Sequence, residues 1–194
     1  MFNGIIKKTG KIKTIIKKKN NCILEIKSSM KFNYREIGES ICCSGACLTL
    51  ESFNKTVSRF YISKETLKKT IFKHSKKSDV INLEKSLKYG NRVSGHYVQG
   101  HVDLTSKIKN IVIIGKSWLI TFSLNNNYKK YLIPKGSITI NGVSLTIAKI
   151  IKNGFQISLI PHTLKLTNLI YLRKSDIVNV EFDVLSKYIK NFLK

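Results

Sequence analysis

Ser40, Cys42, Cys47 and Thr49 alternate with Ile41, Cys43, Ala46 and Leu48 in the stretch Gly38–Leu50, GESICCSGACLTL. Ser137 lies 97 positions after Ser40, and the stretch Lys135–Ile147 around it reads KGSITINGVSLTI, with Thr139, Ser144 and Thr146 alternating with Ile138, Ile140, Val143 and Leu145. Each stretch has the pattern of a β-hairpin: two alternating runs around a two-residue turn. Asn141-Gly142 is a strong type I′ signal because both central residues need positive φ, and Ser44-Gly45 is a weaker one. Such a turn fixes register, pairing Cys42 with Cys47, Ser40 with Thr49, Thr139 with Ser144 and Ser137 with Thr146. Each hairpin then has one apolar face and one face of hydroxyls or thiols. Small donors and acceptors at regular spacing suit a planar, polar heterocycle. Hydroxyls also fill the solvent faces of many ordinary strands, but the same pattern in both copies favours a pocket.

A second concentration of chemistry is Ser94–Asp103, SGHYVQGHVD. His96 and His101, five apart on an extended segment, point to opposite faces and make poor partners for one metal. A neutral histidine at a pocket is a general base near neutral pH, which singles out His101. His162 is expected at a pocket rim, and His74 has a weaker claim. Cys22, Cys42, Cys43 and Cys47 show no zinc-ligand spacing, so no metal is expected. A Cys42–Cys47 disulfide is conceivable, but a reducing compartment and the usual bond geometry argue for free thiols.

The elements that must position these residues repeat as well. Glu65-Thr66-Leu67 matches His162-Thr163-Leu164, Thr70 matches Thr167, and Asp79–Glu84 matches Asp176–Glu181 at the same offset. Gly4-Ile5-Ile6 matches Gly100-His101-Val102. Four matched blocks in one order indicate tandem duplication. The expected organisation is residues 1–88, residues 89–183 and a tail, 184–194. Strands are expected at Ile12–Ile16, Cys22–Ile26, Ser40–Cys43, Ala46–Phe53, Val57–Ser63 and Val80–Leu83. The second half echoes them at Lys107–Ile114, Trp118–Leu124, Ser137–Ile140, Val143–Ile151, Phe155–Leu159 and Ile177–Phe182. Helical turns are expected around Tyr34–Ile37, Tyr128–Leu132 and Glu65–Thr70. Six short strands per half with no long helix between them predict an all-β fold of two small closed antiparallel barrels. In the tail, Val184, Leu185, Tyr188, Ile189, Phe192 and Leu193 share one side of a helix. That helix either packs on its own barrels or binds its equals in other subunits; self-association is favoured.

Composition sets the class. The 194 residues are 42% hydrophobic, enough for a core, with a formal charge of +24. Such charge suggests nucleic acid. Against that, only Arg35, Arg59, Arg92 and Arg173 are arginines, the lysines are spread along the chain, and no aromatic-rich basic strand face is evident. Solvated lysines and no nucleic-acid partner are expected. No run is long enough to span a membrane, and the start has no secretory pattern, so a soluble, cytoplasmic protein is expected.

Met1-Phe2-Asn3-Gly4-Ile5, GESICCSGACLTL, SGHYVQGHVD, KGSITINGVSLTI and IPHTL together resemble the riboflavin synthase family over essentially the whole chain. The resemblance implies two tandem six-stranded Greek-key barrels binding lumazine, and a homotrimer formed through the C-terminal helix. It implies a transferase that dismutates two molecules of 6,7-dimethyl-8-ribityllumazine by moving a four-carbon unit. The products are riboflavin and 5-amino-6-(ribitylamino)uracil, and no cofactor takes part. Carried over by position, a first pocket uses Gly4, Ile5 and Ile6, with Cys47, Leu48 and Thr49 and with Tyr61, Ile62, Ser63, Lys64, Glu65 and Thr66. A second uses Gly100, His101, Val102, Lys135, Ser144, Leu145 and Thr146, with Leu159, Ile160, Pro161, His162, Thr163 and Leu164. Ser40, Cys47 and His101 match the catalytic positions: His101 as base, Cys47 with Ser40 as nucleophile or water-positioning groups. The alternative, a non-catalytic lumazine or flavin binder, needs only one working pocket; Cys47 and His101 are both present here, which favours the enzyme.

Overall fold

A computed structural model describes residues 1–193 of the chain. Twelve strands form two closed antiparallel barrels of six. The first contains β1 (Lys8–Lys17), β2 (Asn21–Ser28), β3 (Ser40–Cys43), β4 (Ala46–Phe53), β5 (Val57–Ser63) and β6 (Val80–Lys85). The second contains β7 (Leu104–Ile114), β8 (Ser117–Ser123), β9 (Ser137–Ile140), β10 (Val143–Ile151), β11 (Gly154–Leu159) and β12 (Ile177–Phe182). Around the first barrel the order is β1-β2-β5-β4-β3-β6; the second has the equivalent order, β7-β8-β11-β10-β9-β12. In each, the third strand lies three places from its predecessor, with two strands between them, and that long connection is the Greek-key crossing. Closure leaves neither barrel with a free edge.

The elements are completed by 3-10 segments at Tyr34–Glu36, Ile71–Lys73, Asn126–Tyr131 and Asn168–Tyr171 and by three short α-helices: α1 (Lys64–Lys69), α2 (Pro161–Leu166) and α3 (Val184–Phe192). The first two start at matching places in the repeat. Thr70 and Thr167 donate their hydroxyls to the carbonyls of Thr66 and Thr163, closing each helix in the same way.

Strand positions agree with the sequence reading except at some ends. The largest difference is β1, which begins at Lys8 rather than Ile12. Lys8-Thr9-Gly10-Lys11 has no apolar alternation, but it pairs with Leu83-Asn82-Ile81-Val80 of β6 and so closes the barrel. A bulge between Ile12 and Thr14 re-aims the strand between its two partners, and β7 repeats it between Ile108 and Asn110.

Each barrel has its own core, with Leu24, Leu50, Phe60 and Phe72 in the first and Phe122, Phe155, Ile157 and Val180 in the second. The Phe122 and Phe155 rings stack at 5.2 Å. Two residues cross over. Ile6, upstream of the first barrel, belongs to the core of the second, and Val102, upstream of the second, belongs to the core of the first. The two upstream segments exchange at a bridge where Phe2 N–H donates to Val98 C=O (2.7 Å) and Val98 N–H to Phe2 C=O (3.1 Å).

Between the barrels runs a buried polar network that obeys the repeat. Asn82 donates to Asn141 C=O (2.9 Å) and accepts from Asn168 N–H (2.7 Å). Its counterpart Asn179 donates to Ser44 C=O (2.7 Å) and accepts from Ile71 N–H (2.7 Å). Burying amides this deeply is tolerated only because both ends are satisfied.

Candidate active site

Both hairpins have the expected register, with Cys42 opposite Cys47, Ser40 opposite Thr49, Thr139 opposite Ser144 and Ser137 opposite Thr146. Both turns are left-handed at each central residue: Ser44 and Gly45 at φ 45° and 89°, Asn141 and Gly142 at φ 46° and 79°. Ser44 tolerates this as Asn141 does, through a side-chain acceptor. Ser44 Oγ takes the Asn82 N–H and Asn141 Oδ1 takes the Asn179 N–H. The polar face of each hairpin runs from the interior outwards. Cys42 and Thr139 are buried, Cys47 and Ser144 half-buried, Thr49 and Thr146 exposed. Each face is therefore a graded wall rather than a solvent face.

The upstream segments lie over these walls, each on the other repeat's hairpin. Ser144 N–H donates to Gly4 C=O and Cys47 N–H to Gly100 C=O, both at 2.8 Å. A Cβ on Gly4 would stand 2.6 Å from Ser144 Cβ, and one on Gly100 would stand 2.7 Å from Cys47 Cβ. Only glycine permits that approach. The sequence grouping is corrected here. Gly100, His101 and Val102 join Cys47, Leu48 and Thr49, while Gly4, Ile5 and Ile6 join Ser144, Leu145 and Thr146. Carry-over by position from the resemblance put each lid with its own repeat; the chain exchanges them. Val102 shares a core with Leu48 and Ile62, and Ile6 shares one with Leu159 and Leu164, which brings the downstream segments to the same walls. His101 consequently stands at the barrel that holds Ser40 and Cys47, so the three expected catalytic residues gather on one barrel.

Around each site, Tyr61, Ser63, Lys64 and Glu65 are exposed and Thr66 is half-buried. In the second repeat Ile160, Pro161, His162 and Lys135 are exposed and Thr163 is half-buried. Ser63 caps α1, its Oγ accepting the Thr66 N–H. His101 is exposed.

The two walls differ in chemistry. In the first, Cys42 and Cys47 pack with Phe2 and Val98 in one apolar cluster, and burial pushes the Cys42 thiol well above its usual range. In the second, His96 fills the space between the two hydroxyls. Its Nδ1 is 2.7 Å from Ser144 Oγ and its Nε2 is 3.1 Å from Thr139 Oγ1. Burial lowers the His96 pKa, favouring neutral imidazole. In the tautomer protonated at Nε2, Ser144 donates to Nδ1 and its oxygen gains basicity. That relay can take a proton from a weak carbon acid held against Ser144. Sequence reading weighed His96 only as a metal ligand and missed this role. The signal available was its position in the same segment as Gly100, whose lid role shows only in three dimensions.

Two buried carboxylates were also missed. Glu84 accepts the N–H groups of Asn3 (2.8 Å) and Gly4 (3.0 Å); Glu181 accepts those of Gln99 (2.7 Å) and Gly100 (3.0 Å). Each carboxylate thus anchors one lid. Burial raises the Glu84 pKa to about 6 and that of Glu181 to about 7, outweighing the amide bonds that favour the charged form. Their repeat-symmetric presence as Asn-Leu-Glu and Asn-Val-Glu was legible, but their task was not.

Comparison with known proteins agrees with this arrangement. The model of the lumazine binding domain family matches residues 3–86 and again 99–183. Riboflavin synthase of Actinobacillus pleuropneumoniae is 37% identical over 193 residues, covering 100% of this chain and 90% of that protein. Riboflavin synthase of Bacillus subtilis (strain 168) is 36% identical with the same coverage. Among solved structures, LumP complexed with 6,7-dimethyl-8-(1'-D-ribityl) lumazine superposes with a TM-score of 0.80 at 25% identity, over 93% of this chain and 98% of that one. With two matched repeats, two lidded walls and full-length relatives, the chain belongs to the riboflavin synthase family of tandem lumazine-binding barrels.

Proposed function

We propose that this protein is a riboflavin synthase: it converts two molecules of 6,7-dimethyl-8-ribityllumazine into riboflavin and 5-amino-6-(ribitylamino)uracil by transfer of a four-carbon unit. The observation that carries the reading is the pair of equivalent but chemically different walls, one centred on Cys47 and one on Ser144. A dismutation needs one molecule bound twice and treated differently. The C7 methyl of the lumazine is acidic because its carbanion delocalises into the ring, so a modest base suffices. The Ser144–His96 pair supplies such a base in the second wall. His101, Cys47 and Ser40 serve the first, with His101 as base and the other two as nucleophile or water-positioning groups. Thr49 and Thr146, at the exposed ends of the walls, orient the ring. Much of the acceleration comes from holding two substrates in reacting geometry, worth up to about 7–11 kcal/mol in favourable cases.

The residues proposed to contact substrate are the two lids, the two walls and the segments from Tyr61 to Thr66 and from Leu159 to Leu164. We divide the chain into residues 1–88, 89–183 and a C-terminal oligomerisation helix, and propose a homotrimer. The support is α3, where Leu185, Tyr188, Ile189 and Phe192 are all more than half exposed in the single chain. Lys187 fixes the helix to its own barrel through Asp103 (2.7 Å), leaving that apolar side outward. The proposed compartment is the cytoplasm, where the four free thiols stay reduced; no helix among the described residues is long and apolar enough to cross a membrane.

Incubation with 6,7-dimethyl-8-ribityllumazine as sole substrate tests the activity. Riboflavin and the aminouracil should appear in equal amounts. Stoichiometric binding without turnover would instead identify a lumazine carrier.

A further inference from the structure

A cleft of about 760 Å3 opens on the first barrel, beside the lid segment around Gly4. It lies between the segment Asn3–Lys8, the loop after β2 and the chain leaving β6. Six cations line it: Lys7, Lys8, Lys31, Lys85, Lys88 and Arg92. Lys85 is paired with Glu36 and lies over the Phe32 ring. The other five have no carboxylate within 4.0 Å among the described residues. Glu84, the carboxylate in the lining, has both oxygens occupied by the Asn3 and Gly4 amides. Ile5, Met30, Leu83 and Leu87 share the lining. A ligand-sized cavity lined by apolar side chains together with a few charged groups is the usual form of a small-molecule site.

In a chain this rich in lysine, the charge needs an internal control, and the duplication supplies one. Lys7, Lys8, Lys85 and Lys88 correspond to Asp103, Leu104, Phe182 and Leu185 in the second repeat. There the Tyr128 and Tyr131 rings stack on Phe182 at 5.9 and 5.3 Å, and α3 occupies the adjoining surface. A second cleft, of about 630 Å3 between the barrels, is lined by Asp79, Asp176 and His74 with no lysine or arginine. Two further clefts do carry lysines, Lys13, Lys17, Lys76 and Lys77 in one and Lys130, Lys187 and Lys190 in the other, but neither contains an arginine.

We propose that the first-barrel cleft binds a small phosphate ester of mononucleotide size. Its dianionic phosphate meets Lys7, Lys8, Lys31, Lys88 and Arg92, and its organic body lies on Ile5, Met30, Leu83 and Leu87. A dianion matches this charge better than a carboxylate, and the Arg92 fork suits phosphate oxygens. No residue of either wall lines the cleft, though it shares Ile5 with the lid over Ser144 and Glu84 with that lid's anchor.

Calorimetric titration of the full chain with adenosine 5′-monophosphate, adenosine and inorganic phosphate tests it. The monophosphate should bind at least about tenfold more tightly than either other compound, the two parts acting together. A K7Q/K88Q/R92Q variant should lose at least about tenfold in monophosphate affinity, and a K13Q/K109Q/K152Q variant should keep it. These side chains are exposed, so both variants should retain the parental circular dichroism and thermal melt. Equal binding of adenosine and its monophosphate would overturn the proposal. So would equal losses in the two variants, or a single-stranded RNA whose affinity rises with length and falls equally in both, since these report diffuse surface charge.

Discussion

His96 is held between Ser144 and Thr139, with one hydroxyl at each ring nitrogen. A residue so placed can be tested without disturbing the wall, because glutamine keeps two polar contacts and loses the titration. H96Q should retain the fold and lower turnover by about 10²–10⁴-fold, the usual range for a lost general base. Burial depresses the His96 pKa, so the neutral, working form persists to lower pH than an ordinary histidine near 6.5 allows. By the same linkage, its stability contribution is complete above the unfolded value and disappears as pH falls through the lowered folded value. The acid limb of kcat/KM should therefore lie below pH ~6.5 in the parent and vanish or move in H96Q. An unmoved limb would assign the titration to another group. At this scale the sequence told a good deal about Ser40, Cys47, Thr49, Ser144 and Thr146, because alternation and a two-residue turn fix which side chains share a face. It told little about His96, because nothing local says which wall an extended segment will lie against.

Among the elements, the hairpins were the most legible, matching at every cross-strand pair. The lids were the least legible. Gly4-Ile5-Ile6 and Gly100-His101-Val102 are short, aperiodic and distant in sequence from their partners, and a duplicated chain gives no local signal distinguishing self-packing from exchange. The start of β1 was hidden for a related reason, since Lys8–Lys11 is a strand only through β6. The lids depend on Glu84 and Glu181, and this dependence has a pH signature. Both carboxylates titrate higher in the folded chain, at about 6 and about 7 against an ordinary 4.5, because burial disfavours their charge. Their raised pKa values add stability that is complete below pH ~4.5 and is lost as pH rises towards 7, on the order of a few kcal/mol together. Thermal melts should show this decline in the parent. An E84Q/E181Q variant should melt independently of these groups over that window, at a cost of about 1–3 kcal/mol for each amide left without its carboxylate oxygen. A parallel pH dependence in both proteins would rule out these two groups as its source.

At the scale of the whole molecule, the barrels are joined by exchange as well as by contact. The Phe2–Val98 bridge is reciprocal, and the Asn82 and Asn179 networks mirror each other. An arrangement in which each half gives the other what it receives is the geometry of a twofold dimer. A fragment of residues 1–88 would carry a lid with no second barrel beneath it and a wall at Cys47 with no lid above. Two such fragments can complete each other, with Gly4 of one lying on Cys47 of its mate. The fragment should therefore sediment as a dimer, and a monomer with native stability would contradict the exchange. The repeat and its exchanged lids are what fusing two such mutually embracing chains would produce. A symmetric dimer must carry the same residue at both of its sites, because one gene writes both. Once fused, the copies are free to diverge, and this chain has thiols with Phe2 on one wall and hydroxyls with an imidazole on the other. Covalent linkage thus released the molecule from its own symmetry, and that release allows one substrate to be handled in two ways.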